Sequence, residues 1–146
     1  DIYAEDNCPF VMNKATVLCA GSDVAIIATG ELVKPALDAA SLLKGQSISA
    51  TILDMYCVKP LDVKTVVESA KSAKVVLTAE EHSPYGGLGS RVAQVVSGHC
   101  PRLVRNLALP DAPVITGNSS EVFAYYGLDA QGIARSAANL LASAGI

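Results

Sequence analysis

No tryptophan occurs in the 146 residues, and aromatic side chains make up only 5% of them. A core without large rings must come from Ala, Val, Leu and Ile, and a 51% apolar content supplies them. That composition suits α/β proteins, whose buried parallel strands read as apolar runs. Basic excess is also missing: 11 Lys and Arg face 14 Asp and Glu, for a net charge of −3. Nucleic acid and anionic membrane are therefore not expected as main partners. No apolar run approaches the ~18 residues a membrane span needs, and no charged-then-apolar signal segment opens the chain. The four cysteines (Cys8, Cys19, Cys57, Cys100) form no CxxC pair, and only His82 and His99 could join them. Zinc-ligand spacing is thus absent, and reduced thiols in a cytoplasmic setting are expected.

What is present is a chain of single-domain length, large enough to bury roughly 68–70% of its unfolded surface. It opens on Asp1 rather than Met, which is read as a piece or a trimmed form of a longer chain. Residues 1–13, DIYAEDNCPFVMN, show no periodicity and read as a linker or extended arm, with the domain over 14–146. ATVLCA (15–20) and VAIIA (24–28), joined by GSD, suggest a hairpin with the first strand as an antiparallel edge.

Val33, Ala36, Leu37, Ala40 and Leu43 then fall on one helical face, with Pro35 in the first turn and Gly45 as the stop. ISATILDM (48–55) is the next strand, and Asp62 caps a helix carrying Val63, Val66, Val67 and Ala70. KVVLTAE (74–80) is a strand, followed by a helix with Leu88, Val92, Val95 and Val96 inward. RLVRNLAL (102–109) is the last strand. Asn118, with Glu121 three residues on, starts a short helix ending near Gly127. Asp129 caps a final helix with Ile133, Ala137, Leu140 and Leu141 inward.

This alternation predicts an α/β fold: a mostly parallel sheet with helices on both faces. Right-handed crossovers place the strand C-termini on one edge, where open sheets bind ligands. Four loops share that edge: 29–31, 54–62, 80–90 and 109–118.

The loop EEHSPYGGLGS (80–90) carries the densest chemistry. Glu81, His82 and Ser83 are consecutive, which disfavours a triad, and no GxSxG elbow exists. Ser83 reads as a loop hydroxyl beside the Pro84 turn. Gly87 and Gly89 precede a helix whose N-terminus could attract an anion, but Val92 stands where GxGxxG needs its third glycine. The favoured reading is that Gly86, Gly87 and Gly89 permit positive φ or close packing. Of Glu80 and Glu81, one is expected to neutralise a helix end or pair with Arg91. His82 reads as a hydrogen-bonded loop residue ahead of an acid or base, and His99 as a complement to a helix C-terminus.

The order DVAIIATGE, ILDMYCVKPLD, VVLTAEEHSPYGGLGSRVA, LALPD, YGLDAQGI resembles the C-terminal domain of the transketolase family, from about Ala15 to Leu141. DIYAED resembles the linker after that family's pyrimidine-binding domain. EEH and YGLD look more like transketolase proper, with deoxyxylulose-phosphate synthase close behind and pyruvate dehydrogenase beta subunits fitting less well. APVITGN departs from the family's usual aromatic and FGESG-like turn after LALPD.

The resemblance implies a three-layer α/β/α domain with a five-stranded mixed sheet, and a complete enzyme moving a two-carbon ketol unit between pentose-pathway sugar phosphates. It implies thiamine diphosphate and Mg bound between two other domains, one carrying a GDG…N motif; this chain contains no GDG. The implied partners are the other domains or an N-terminal subunit, in a homodimeric enzyme. The chain alone is then expected to be inactive, with no catalytic, cofactor or metal residue. The loop residues Glu81, His82, Ser83, Gly86, Gly87, Gly89 and Arg91 become an interface or anion loop. A regulatory nucleotide- or phosphate-binding module and a small enzyme using His82 are the alternatives.

Overall fold

The computed structural model describes residues 1–4 and 10–145, so Cys8 and the middle of the expected 1–13 arm lie outside the described residues. Five strands form one sheet: β1 (Thr16–Cys19), β2 (Val24–Ala28), β3 (Ala50–Asp54), β4 (Val75–Ala79) and β5 (Leu103–Leu107). Their order is β1-β3-β2-β4-β5, with β1 antiparallel to β3 and the other pairs parallel. The helices are α1 (Val33–Lys44), α2 (Val63–Ser72), α3 (Leu88–His99), α4 (Ser119–Tyr126) and α5 (Ala130–Ser143). A 3-10 turn, Gly30–Leu32, leads into α1.

Strand periodicity splits the core in two. Along β2, Val24, Ile26 and Ala28 face α1 and α5, while Ala25 and Ile27 face α2 and α3. All five β2 residues are buried, as an apolar run covered on both faces requires. The result is the expected three-layer α/β/α arrangement with a mixed sheet.

The expected hairpin is not formed. β1 is the antiparallel edge, but its partner is β3, not β2. A half-exposed strand suits an edge, whereas VAIIA must lie between two covered neighbours. The GSD turn is held against β3 instead. Thr51 Oγ1 accepts from Gly21 N (3.0 Å) and donates to Gly21 O (2.7 Å), and a Cβ on Gly21 would lie 2.5 Å from Ala50 N.

The helix caps follow local rules. Asp62, Asn118 and Asp129 accept from the backbone N–H groups of Thr65, Glu121 and Gly132 at the starts of α2, α4 and α5. Gly127 ends α4 in the left-handed region (φ 70°). α1 does stop at Gly45, but Gly45 stays right-handed and the left-handed reversal falls on Ser47 (φ 61°).

Candidate functional site

β2 and β4 are hydrogen-bonded neighbours, yet β2 connects onward to β3 on one side and β4 to β5 on the other. The loops leaving their C-terminal ends therefore diverge, which opens a crevice at the switch point. Thr29, Val58, Glu81, His82 and Gly86 line this space of about 410 Å³.

Glu80, the first residue after β4, determines the loop's shape. It is only 2% exposed. Its carboxylate accepts hydrogen bonds from the first backbone N–H groups of α3: Leu88 N to Oε2 at 2.7 Å and Gly89 N to Oε1 at 2.8 Å. A buried carboxylate here is compensated twice, by two charge-assisted bonds and by the positive end of the helix. The helix end is thus neutralised by Glu80 from eight residues upstream.

The glycines make room for this arrangement. A Cβ on Gly87 would fall 1.9 Å from Glu80 Oε2, and one on Gly89 would fall 2.2 Å from Asn106 Cγ. Asn106 fills that space while accepting from Thr78 Oγ1 at 2.8 Å. Gly86 alone of the three has positive φ, 75°. Positive φ is therefore the constraint at Gly86, and close packing at Gly87 and Gly89.

Glu81 counts as exposed, yet its carboxyl tucks in beside Gly30: Oε1 lies 2.9 Å from where a Gly30 Cβ would be. Loss of water, and then the negative charge of Glu31, raise its pKa above the ordinary glutamate value. The His82 ring is exposed, with Nδ1 3.2 Å from the carbonyl oxygen of Ser83. Ser83 Oγ donates to Asp111 at 3.3 Å and accepts from Tyr85 N at 3.3 Å, while Leu109 N donates to His82 O at 3.0 Å. These bonds join the 80–90 and 109–118 loops into one surface. Among the described residues Arg91 forms no ion pair with an acid; its Nη1 donates to Gln94 at 2.8 Å. His99, at the end of α3, has Nδ1 2.9 Å from Val95 O.

The site residues named from sequence therefore share one loop but not one chemical centre. His82 faces the Ser83 carbonyl rather than its hydroxyl, so no nucleophile–base pair exists between them. Leu88 and Gly89 have their N–H groups committed to Glu80, and the crevice beside them is lined with acid. Sequence reasoning expected Glu80 or Glu81 to neutralise a helix end without saying which, and the structure gives that part to Glu80; sequence reasoning missed the role of Asn106. The available signal was an acid closing an apolar strand, followed by glycines opening a helix. Among the described residues no group of three His, Cys, Asp or Glu is placed to hold a metal, and no helix is long and apolar enough to cross a membrane.

Residues 13–133 match the family described as transketolase, C-terminal domain. The chain is 43% identical over 137 residues to one subunit of the apulose-4-phosphate transketolase of Phocaeicola vulgatus, covering 94% of this chain and 44% of that protein. It is 37% identical to the 1-deoxy-D-xylulose-5-phosphate synthase of Syntrophotalea carbinolica, covering 89% of this chain and 21% of that protein. Among solved structures it is similar to a split gene transketolase described as an inactive beta4 tetramer: TM-score 0.87 and 37% identity, over 97% of this chain and 45% of the other. The chain thus spans less than half the length of these relatives. Sheet order, helix layers and sequence agree: the chain belongs to the transketolase C-terminal domain family.

Proposed function

We propose that this chain serves assembly within a thiamine-diphosphate-dependent transketolase-like enzyme and supplies no catalytic group. The enzyme moves a two-carbon ketol unit from a ketose phosphate to an aldose phosphate. The observation that supports the absence of a catalytic group is the Glu80 cap. The one fully buried acid of the 80–90 loop is committed to holding α3, and Glu81, His82 and Ser83 form no acid–base pair. Relatives named as a subunit and as a split-gene product support a separate or preceding N-terminal partner.

The residues at this edge do not fit thiamine diphosphate. A diphosphate needs free N–H donors, cations or a bridging metal. Here the donors of Leu88 and Gly89 face Glu80, and the side chains of Glu80 and Glu81 line the crevice with carboxyl groups and no Lys or Arg. The same features weigh against a regulatory phosphate or nucleotide module. The cofactor's chemistry is thus assigned to the partner, with residues 1–13 as the arm towards it.

A cytoplasmic, homodimeric complete enzyme of pentose phosphate metabolism completes the reading. The 37% identity to a 1-deoxy-D-xylulose-5-phosphate synthase supports a second one, in which the complete enzyme is such a synthase.

The test supplies this chain, thiamine diphosphate, magnesium and sugar phosphates with and without the N-terminal polypeptide. Product is expected only when both polypeptides are present. Turnover by the rigorously purified chain alone overturns the proposal, and product from pyruvate and glyceraldehyde 3-phosphate alone selects the synthase.

A further inference from the structure

At the end of the strands opposite the crevice, a cavity of about 280 Å³ opens between the end of β1, the start of β3 and the last turns of α1. Its walls include Cys19 and Ala20 at the end of β1, Ala40 and Lys44 from α1, and Ile48 and Ala50 on the way into β3. A β-bulge shapes one of these walls. Val17 pairs with Leu53 and Cys19 with Ile52, so Leu18 is an extra residue. Leu18 and Cys19 therefore both pack on the α1–α5 side of the sheet, which two consecutive residues of a regular strand do not do. Ala40 and Ala50 are buried and stop at Cβ, where longer side chains would fill the space.

The 46–49 wall is fixed from several sides. Ile48 N donates to Leu43 O at 3.0 Å, and the Asp23 carboxylate accepts from Ser49 N and from Ser49 Oγ, both at 2.7 Å. Ser47 lies in the left-handed region (φ 61°), a conformation a serine keeps only where its surroundings impose it. The cavity is thus preformed, as small-molecule sites usually are. Its chemistry is one-sided. The walls are mostly apolar, and the described residues lining them include no Asp or Glu. Lys44 is the one cation among them, and it forms no ion pair among the described residues. Ser47 adds a hydroxyl donor to the lining.

From this geometry we infer that the cavity binds a small carboxylic acid with a short hydrocarbon tail. The tail lies against Cys19, Ala40, Ile48 and Ala50, and the carboxylate meets Lys44, which is exposed and keeps its contact with water. A phosphate fits less well, because it needs several donors or a metal and these walls are apolar. A free amino acid also fits less well, because its ammonium finds no acid in the lining. The neighbouring Asp23 carboxylate is already taken by Lys74 and Ser49. At about 280 Å³ the space is just below what drug-sized ligands occupy, which suits a molecule this small.

The experiment uses the full chain with hexanoate as the probe and reads the alkylation rate of each cysteine by mass spectrometry. Cys19 and Cys57 are both partly exposed free thiols, so Cys57 serves as the internal control. Hexanoate is expected to slow alkylation of Cys19 and to leave Cys57 unchanged. Hexylamine, with the same tail and the opposite charge, is expected to protect neither. Lys44→Met keeps an aliphatic stem at an exposed position and should weaken protection roughly fivefold, through loss of a charge-assisted bond in contact with water. Ala20→Leu, also at an exposed position, should weaken it by filling the cavity, with melting curves to check that both variants fold. Lys34→Met, on the same helix but outside the cavity, should bind hexanoate like the unaltered chain. Absence of protection at about 50 mM hexanoate, where a site of millimolar affinity is filled, overturns the inference. Protection that survives intact in Lys44→Met and Ala20→Leu, equal protection of Cys19 and Cys57, or equal protection by hexylamine overturns it as well. None of these outcomes touches the proposed function.

Discussion

Glu80 Oε2 occupies the space that a side chain on Gly87 would need: a Cβ there would lie 1.9 Å away. The two positions are therefore coupled, and either can be disturbed through the other. Gly87→Ala must push the carboxylate off the start of α3, although φ at this residue is −89° and poses no obstacle of its own. A displaced, buried carboxylate loses its two N–H partners, for a cost of about 3 kcal/mol. Chemical denaturation should show that loss. In the Glu80→Ala background the same glycine substitution should cost under about 1 kcal/mol, because nothing remains to be displaced. Equal costs in both backgrounds would separate the glycine from the acid.

Gly89 and Asn106 stand in the same relation one strand away. Gly89→Ala is expected to destabilise by about 1–3 kcal/mol through overpacking. Asn106→Ala should relieve most of that clash while losing the bond to Thr78. A double-mutant cycle in denaturant measures the coupling.

Acid sensitivity should come from two carboxyls. Burial would raise the pKa of Asp62, but the Thr65 hydroxyl, the N–H groups of Thr65 and Ala15, and nearby Lys14 outweigh it and hold it low. Asp23 is held low by Lys74 and by Ser49. A depressed folded pKa means stability present above the unfolded value of about 4 and lost as pH falls through the folded one. Melting temperature should therefore fall as pH drops below about 4, and Asp62→Asn should flatten part of that limb.

Asp54 has the opposite sign. Burial raises its pKa, only partly offset by the Tyr3 hydroxyl, and Tyr3 itself is pushed up to about 12 by burial and then by Asp54. A raised folded pKa contributes stability below the unfolded value that is lost as pH rises through the folded one. Asp54→Asn keeps an acceptor for Tyr3 and removes the buried charge. It should match or exceed the unaltered chain in melting temperature at pH 7 and lose that advantage below about pH 4. A variant much less stable at pH 7 would show that the ionised form is needed.

His82→Gln in the complete enzyme should lower kcat modestly, by less than about tenfold. Loss of a general acid or base typically costs about 10²–10⁴-fold. A thousandfold fall with cofactor saturating, and with assembly and stability unchanged, would place a catalytic residue in this chain.

Much of this domain could be read from local pattern, because local pattern is what caps and amphipathic faces respond to. Asn118, Asp62 and Asp129 each bond a backbone N–H three residues away, and spacing alone places them. The inward faces of α3 and α5 follow from a period of 3.6 residues in the same way. β1 was legible as an antiparallel edge, but its partner was not. Proximity in sequence pointed to β2, while burial on both faces of β2 required β3 between them.

The site divides along the same line. Sequence by itself determined that an acid, a histidine and three glycines meet at a strand-to-helix turn on the ligand-binding edge. Only the tertiary structure decided that Glu80 turns inward to the helix, that Gly87 and Gly89 make room for Glu80 and Asn106, and that Tyr3 reaches across 51 residues of sequence to Asp54. The physical reason is range. A cap or a periodic face is set by neighbours within one or two turns, whereas these contacts exist only after the sheet has brought distant strand ends to one edge.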